Sequence, residues 1–201
     1  MPNVFGQDVT TVEDIVACFR RHGDAVRGAY RARYVYDDST VDPYSGATLE
    51  RPAALVGNPP GIAYPWEQVL LAAAACAGSD YPMLAHHLGV PLARVAFTVE
   101  CVFDPRGEFD GLDGWVAPPD AAPCYLSLHL EATLTSPGPD DRLADIHRRV
   151  VERNMVLGAL RGIPRTDALR IERSSGRAAE APASAAAAPR EAGCTSSGEQ
   201  R

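Results

Sequence analysis

The longest apolar stretch of the chain covers residues 69–77, which contain no charged residue, no Gly and no Pro. Strong helix formers dominate it, so we predict a helix that is apolar on every side and therefore buried. A membrane span needs about 20 apolar residues, so protein rather than lipid must bury this shorter helix. Pro82 predicts that the helix kinks or restarts there, with Ser79 or Asp80 as the new N-cap.

Alternating polar and apolar positions predict strands on both sides of this helix. The clearest alternation lies in residues 27–36, 95–104 and 125–135, and weaker patterns predict short strands at 53–56 and 167–171. Strands and helices are segregated along the chain, which indicates an α+β fold. We therefore expect an antiparallel sheet wrapped on a long buried central helix.

Two further helices are predicted from caps and apolar spacing. Thr10 and Glu13 have the spacing of a capping box for a short helix that ends near residue 23. Asp140 begins a later helix with an acidic residue at its favourable end. The predicted buried stripe of that later helix comprises Leu143, Ile146, Val150 and Met155.

Composition divides the 201-residue chain into three parts. Residues 1–26 form an N-terminal helical extension, residues 27–173 form one domain with a sizeable core, and residues 174–201 form a tail. The tail contains no Val, Ile, Leu, Met or aromatic residue, so burial cannot offset its ordering entropy and we predict that it is disordered.

Charge and cysteine usage exclude several classes of partner. The net charge of −7 argues against nucleic acid and anionic lipid, which need a clustered basic surface. The N-terminal residues lack a signal-peptide pattern, so we expect a cytoplasmic protein with no membrane partner. The five cysteines form no CxxC pair and no zinc-ligand spacing, so neither a metal nor another cofactor is predicted.

The central helix carries a recognisable motif. Pro65, Glu67, the run 69–73 and Cys76 resemble the central-helix motif of the OsmC/Ohr family, whose members are thiol-dependent peroxidases that reduce organic hydroperoxides. The similarity covers about residues 27–171, with the later segments in the family's order. It implies an intertwined homodimer in which two central helices lie back to back.

The same resemblance implies roles for three kinds of residue. Cys76 is the peroxidatic thiol, and Glu67 orients an Arg that stabilises both the thiolate and the bound peroxide. Burial in an apolar helix raises the pKa of a thiol, so a reactive Cys76 requires such a cation. The first strand offers Arg31 and Arg33, although the turn at 37–40, where peroxidase relatives place their Arg, has none.

Each of these residues also has a plain structural interpretation. Cys76 can be a small buried hydrophobe, Glu67 a carboxylate at a helix start, and the arginines a solvated strand face. Glu67 and Cys76 are nine residues apart, so one straight helix separates them by about 13.5 Å along its axis and about 180° around it. Either a long Arg side chain bridges them, or the second subunit supplies the Glu67–Arg pair.

One family position departs from the peroxidase pattern. Where peroxidases of this family carry a resolving Cys followed by Pro, this chain has Asn154 and Met155. A sulfenate on Cys76 then lacks a dedicated internal partner, so the reductant is expected to be an external thiol. We interpret Cys101 and Cys124 as packing residues.

Apolar side chains in the connection at 106–123 predict that it folds over another part of the protein. His147, on the last predicted helix, is expected at the surface or at an interface. The candidate contacts to a hydroperoxide or another small apolar molecule are Trp66, Phe109, Trp115, Asn154 and Met155.

Three functions remain open at this point. The first is a cysteine peroxidase of organic hydroperoxides. The second is a non-redox enzyme on the same scaffold, such as a biosynthetic cyclase, an isomerase or a thioester-processing enzyme. The third is a non-catalytic protein that binds an apolar small molecule, because a fold alone does not fix a function.

Overall fold

A computed structural model describes residues 3–4, 7–8, 10–37, 40, 42, 46–50, 65–122 and 125–174. Within these residues the strands are β1 (Asn3–Val4), β2 (Gln7–Asp8), β3 (Gly28–Tyr36), β4 (Thr48–Glu50), β5 (Arg94–Phe103), β6 (Tyr125–Thr135) and β7 (Arg165–Glu172). The α-helices are α1 (Val12–His22), α2 (Pro65–His87), α3 (Asp140–Arg153) and α4 (Met155–Ala159). The predicted strand at 53–56, the tail from residue 175 onwards, Cys124 and Cys194 lie outside the described residues.

A five-stranded sheet with the order β4-β3-β5-β6-β7 forms the scaffold. The pairs β3/β5 and β5/β6 are antiparallel, as expected, and so is the pair of β3 with β4, a strand that was not predicted. The last pair, β6/β7, is parallel. Because α3 and α4 lie between these two strands in the chain, they form the crossover that a parallel pair requires. The fold is therefore α+β with a sheet that is antiparallel except at one edge.

The core lies between this sheet and α2. Tyr30, Ala32 and Tyr34 alternate along β3 and are buried, while α2 packs against both β3 and β5. Helices α3 and α4 also contact α2, so the central helix is covered by the sheet and by a helix pair. This arrangement is the predicted one of a sheet and a long central helix.

One face of α2 stays uncovered in the single chain. Val69 is 40% exposed, Met83 is 41% exposed, Ala72 is exposed and Cys76 is partly exposed. These positions recur at helical spacing and so share one stripe. The expectation of a helix buried on every side therefore does not hold within one chain, because the sheet and the helix pair leave this stripe open.

The predicted restart of the helix at Pro82 is wrong, because α2 continues through it without a break. Tyr81 and Ala85, which flank it, are both buried, so packing holds this part of α2 in helical form. Ser79 is not an N-cap, since its hydroxyl donates to the carbonyl of Cys76 at 3.0 Å. Tertiary contacts have overridden the local preference of proline.

Helix α1 begins one residue later than predicted. Thr11 is the N-cap: its hydroxyl accepts from the amide of Asp14, and the Asp14 carboxylate accepts from the amide of Thr11. The capping box thus uses this pair in place of Thr10 and Glu13. As in the predicted capping box, a Thr hydroxyl and an acidic side chain each accept from the other residue's backbone amide, but the acid is Asp rather than Glu.

The connection after β5 folds over α1. Phe109 and Trp115 pack their rings on Phe19, with centroids 5.6 and 5.5 Å away. Buried Arg106 pairs with buried Asp104 at 2.7 Å and with Asp24 at 2.7 Å. The apolar residues of this connection therefore attach the N-terminal helix to the domain.

Candidate thiol site

Cys76 meets Asn154 at the junction of α3 and α4. The side-chain amide nitrogen of Asn154 donates to Sγ of Cys76 at 3.2 Å and to Oδ2 of Asp80 at 2.7 Å. Asn154 is only 4% exposed, whereas Cys76 remains partly open to solvent. A thiol, an amide and a carboxylate from three places in the sequence therefore form one hydrogen-bonded group.

Helix capping fixes the orientation of this amide. The Asn154 side-chain oxygen accepts from the backbone amides of Val156 and Leu157, both at 3.0 Å, and so caps α4. With the oxygen committed to the helix start, only the nitrogen end can face Cys76. The site is therefore positioned by the start of α4, and position 154 lies against the thiol.

Asp80 lies four residues after Cys76 and so on the same side of α2. Burial raises the pKa of its carboxyl above the usual value, and the hydrogen bond from Asn154 opposes part of that rise. Its protonated form is consequently more accessible than that of a surface carboxylate. The sequence favoured a helix cap here over a carboxylate that disfavours a nearby thiolate, yet α2 is unbroken and Asp80 lies in its interior.

Glu67 lies on a different side of α2. It is fully buried in the first turn, and its charge acts on Cys101 of β5 and on Tyr125 of β6. Burial raises the pKa of the Cys101 thiol to about 12, and the charges of Glu100 and Glu67 add to that rise. Because α2 is continuous, Glu67 and Cys76 do not meet within one chain.

Neither arginine proposed for the thiol reaches it in the single chain. Arg31 and Arg33 alternate with the buried residues of β3, so they lie on the sheet face away from α2. Arg31 pairs there with Glu100 at 2.6 Å and with Glu50 at 3.7 Å. Arg31, Arg33 and Glu50 line an open polar groove on that face. The plain interpretation of a solvated strand face fits both arginines within one chain.

The predicted substrate contacts fall into separate places. Trp66 stacks on Phe103 with centroids 4.5 Å apart, while Phe109 and Trp115 pack on α1 as described above. Met155 is 80% exposed beside Asn154, so its prediction as part of a buried stripe is wrong. The chain ends α3 before Met155 and begins α4 with it, which turns the residue outward. Of these five residues, Asn154 is the one whose side chain donates a hydrogen bond to the thiol.

The described part of the chain offers neither a metal site nor a membrane-spanning helix. No group of three or more His, Cys, Asp or Glu residues is placed to hold a metal ion there. No helix there is long and apolar enough to cross a membrane.

Comparison with known proteins shows the family to which this chain belongs. Residues 60–167, more than half of the chain, match the family model described as OsmC-like protein. The chain belongs to the OsmC-like family. The matched range contains Cys76, Asp80 and Asn154. A search of curated proteins found no match.

Solved structures similar to this OsmC-like chain include three with low sequence identity. An OsmC-like protein from Mycoplasma pneumoniae is 14% identical, with a TM-score of 0.41 over 70% of this chain and 94% of that one. An OsmC-like hydroperoxide resistance protein from Jannaschia sp. CCS1 is 12% identical, with a TM-score of 0.48 over 67% and 87%. A hypothetical protein from Aquifex aeolicus VF5 is 9% identical, with a TM-score of 0.42 over 71% and 97%.

One buried hydrogen-bond chain in this OsmC-like domain was missed from the sequence. The Tyr81 hydroxyl lies 2.7 Å from Nδ1 of His147, and Nε2 of His147 lies 3.3 Å from the Asp167 carboxylate. His147 is 6% exposed, so its predicted surface position is wrong. The signal was present in the sequence, because residue 147 lies four after Leu143 and belongs to the same buried stripe of α3.

Proposed function

We propose that this OsmC-like protein is a cysteine-dependent peroxidase that reduces organic hydroperoxides at Cys76 and is regenerated by an external thiol. The observation that carries the proposal is the 3.2 Å hydrogen bond from the Asn154 amide to Sγ of Cys76. In the family resemblance, position 154 is that of the resolving cysteine. A residue at position 154 can therefore contact the sulfur directly, and Asn154 does so as a hydrogen-bond donor.

The reaction divides into an oxidation and a reduction. The Cys76 thiolate attacks the distal oxygen of the hydroperoxide, the O–O bond breaks, and the products are a sulfenic acid and an alkoxide that takes up a proton. A first external thiol then displaces water from the sulfenic acid to form a mixed disulfide. A second external thiol releases Cys76 and leaves as a small-molecule disulfide.

Asn154 supports the oxidation step of this cycle, and it excludes a reduction step that proceeds through an internal disulfide. A hydrogen bond to an anionic sulfur favours the thiolate, which is the reactive form. An amide forms no disulfide, so the sulfenic acid on Cys76 must wait for a thiol from solution.

A homodimer is part of the proposal. The uncovered stripe of α2, with Val69, Ala72 and Met83, is apolar surface that a second copy of the chain would bury. Since Glu67 and Cys76 lie on different sides of one helix, the Glu67–Arg pair that serves a given Cys76 would belong to the second copy. An apolar hydroperoxide would approach the thiol beside exposed Met155.

The decisive experiment is a brief oxidation of the full chain with one equivalent of tert-butyl hydroperoxide, followed by trapping of sulfenic acid and mass spectrometry. We expect the adduct at Cys76, its loss in Cys76→Ser, and its retention in Cys18→Ser and Cys194→Ser. Cys18 is buried and serves as an ordinary thiol in the same sample. Oxidation of Cys76 no faster than that of Cys18 would contradict the peroxidase proposal.

A non-redox enzyme is the second candidate, and the carboxylate near the thiol favours it. No arginine among the described residues bonds to Cys76 or Asp80, whereas Asp80 shares the Asn154 amide with the sulfur. A thiol with a nearby acid or base suits nucleophilic attack on a thioester. An acyl adduct on Cys76 after incubation with a simple acyl thioester, in a protein that forms no sulfenic acid, would select this function.

A further inference from the structure

The bond between Asn154 and Asp80 has no place in the reaction as described so far. We propose that Asp80 is the proton carrier of this site: it takes the proton of the Cys76 thiol and delivers it to the leaving oxygen of the hydroperoxide. The inference rests on the proposed peroxidase function and adds a catalytic residue to it.

Geometry places the thiol and the carboxylate at a usable separation. The Asn154 amide nitrogen lies 3.2 Å from Sγ and 2.7 Å from Oδ2 of Asp80. If its two N–H bonds point at these acceptors, their angle of roughly 120° puts Sγ and Oδ2 about 5 Å apart. That gap suits a hydroperoxide group, with one oxygen against sulfur and the other within hydrogen-bond reach of the carboxyl.

The chemistry needs a proton at both ends of this gap. A thiol must lose its proton before it attacks, and an alkoxide is a strong base that leaves far more readily as the alcohol. Asp80 is placed to perform both transfers: before the attack, one water in the gap of about 5 Å passes the thiol proton to the carboxylate, and during the attack the leaving oxygen lies within hydrogen-bond reach of the carboxyl. The Asn154 amide donates to whichever of the two groups carries the negative charge.

Proton and charge balance hold at each step. The site begins as Cys76 thiol with Asp80 carboxylate, becomes thiolate with carboxylic acid, and ends as sulfenic acid with carboxylate and free alcohol. Its net charge is −1 throughout. The sum is thiol plus hydroperoxide giving sulfenic acid plus alcohol, and no oxidant other than the hydroperoxide is needed. A cation beside the sulfur is therefore not required for charge balance.

The surroundings of Asp80 favour this role. Burial makes its protonated form accessible, so it can hold the thiol proton between the two transfers. The neighbouring hydroxyl of Tyr81 is engaged with His147, and Asn154 is neutral. Among the described residues that bond within this group, only Cys76 and Asp80 titrate.

The test compares two oxidants in single-turnover formation of sulfenic acid at Cys76. tert-Butyl hydroperoxide releases an alkoxide that needs a proton, whereas peracetic acid releases acetate, which does not. Replacing Asp80 by Asn preserves size and removes the acid. We expect Asp80→Asn to slow the reaction with tert-butyl hydroperoxide by about 100-fold or more. The factor by which it slows the reaction with peracetic acid should be at least about ten times smaller.

Two further variants complete the test. Asp80→Glu keeps a carboxyl group on a longer arm, so we expect it to recover part of the rate with tert-butyl hydroperoxide. Asp141→Asn, which changes an exposed acid on α3, should match the unmodified chain with both oxidants. Thermal unfolding of each variant checks that the comparison is made between folded proteins.

The outcomes separate this inference from the proposed function. In the first outcome, the unmodified chain forms sulfenic acid, and Asp80→Asn either reacts as fast or is slowed equally with both oxidants. Asp80 then does not protonate the leaving oxygen, so the inference is overturned while the peroxidase proposal stands. If the unmodified chain forms no sulfenic acid with either oxidant, the peroxidase proposal itself fails. Selective loss with tert-butyl hydroperoxide, partly restored by Glu, supports the inference.

Discussion

The ring of Tyr34 lies directly against the backbone of Gly78, so strand β3 and helix α2 meet without an intervening side chain. A Cβ atom at position 78 would lie 2.3 Å from both Cγ and Cδ1 of Tyr34. Tyr34 is fully buried and its ring has little space to move. The glycine therefore sets how closely the helix approaches the sheet two residues after Cys76.

Replacing Gly78 by Ala should destabilise the fold. Overpacking of a well-filled core lowers the free energy of unfolding by about 1–3 kcal/mol. The higher helix propensity of Ala over Gly raises it by about 1 kcal/mol. The Tyr34 atoms in the way lie near the fixed end of its side chain, so we expect a net loss in the free energy of unfolding, measured by urea titration. Gly158→Ala in α4 is the control, because its nearest atom is 3.9 Å away, and a loss as large there would contradict the explanation.

His147 should make stability depend on pH. Burial lowers the pKa of His147 below its usual value of 6.5, and the hydrogen bond to Asp167 opposes part of that shift. As pH falls below about 6.5, the unfolded chain therefore takes up the proton before the folded chain does, and the free energy of unfolding decreases down to the folded-state pKa. Above pH 6.5 this contribution is constant.

The measurement for His147 is the pH dependence of urea unfolding in matched variants. We expect His147→Gln to flatten the slope below pH 6.5 and to lower stability at pH 8 by about 1–3 kcal/mol, because the buried Tyr81 hydroxyl loses its acceptor. His86→Gln, at an exposed position, should leave the whole profile unchanged. An unaltered slope in His147→Gln would show that the imidazole does not cause the acid sensitivity.

Asn154→Cys should create the missing resolving partner. With the Asn154 amide 3.2 Å from Sγ, a cysteine there is close enough for us to expect a disulfide with Cys76 after treatment with hydroperoxide, seen by mass spectrometry. The variant loses the α4 cap, which costs about 0.5–2 kcal/mol. Asn154→Ser keeps a capping hydroxyl and cannot cross-link. A sulfenic acid that persists in Asn154→Cys would mean that the backbones are too far apart for a disulfide.

The open stripe of α2 predicts an association that a single charge disrupts. We expect the unmodified chain to sediment as a dimer at micromolar concentration, and Ala72→Glu to shift it towards monomer, because the new carboxylate would be buried without a partner. Arg142→Glu, on the exposed side of α3, should leave the dimer intact. A monodisperse, folded monomer of the unmodified chain would contradict both the proposed dimer and the proposal that the second copy contributes residues to the site at Cys76.

Regular alternation and apolar spacing predicted most of the fold. Strands β3, β5 and β6 and helices α1 and α3 were found from such local patterns because each buries one face. Pro82 misled the prediction, since its effect depends on packing that neighbouring residues do not reveal. The parallel pairing of β7 was missed for the same reason, as an edge strand carries no signal for its direction.

The candidate site was harder to predict than the fold because its contacts are distant in sequence. Cys76 and the importance of position 154 followed from the family resemblance. Asp80 had only a local interpretation, and its link to Cys76 depends on an amide 74 residues away. Arg31 and Arg33 were candidates by charge alone, and the alternative interpretation, a solvated strand face, already followed from the alternation along β3.

The crossover between β6 and β7 gives the site an order of assembly. Asn154 follows Cys76 by 78 residues, within the segment that α3 and α4 form before β7 joins the sheet. During synthesis the thiol therefore leaves the ribosome well before its amide donor. Until α3 and α4 have been synthesised and have folded, a nascent chain carries Cys76 without the hydrogen bond from Asn154, so this thiol site is assembled late in folding.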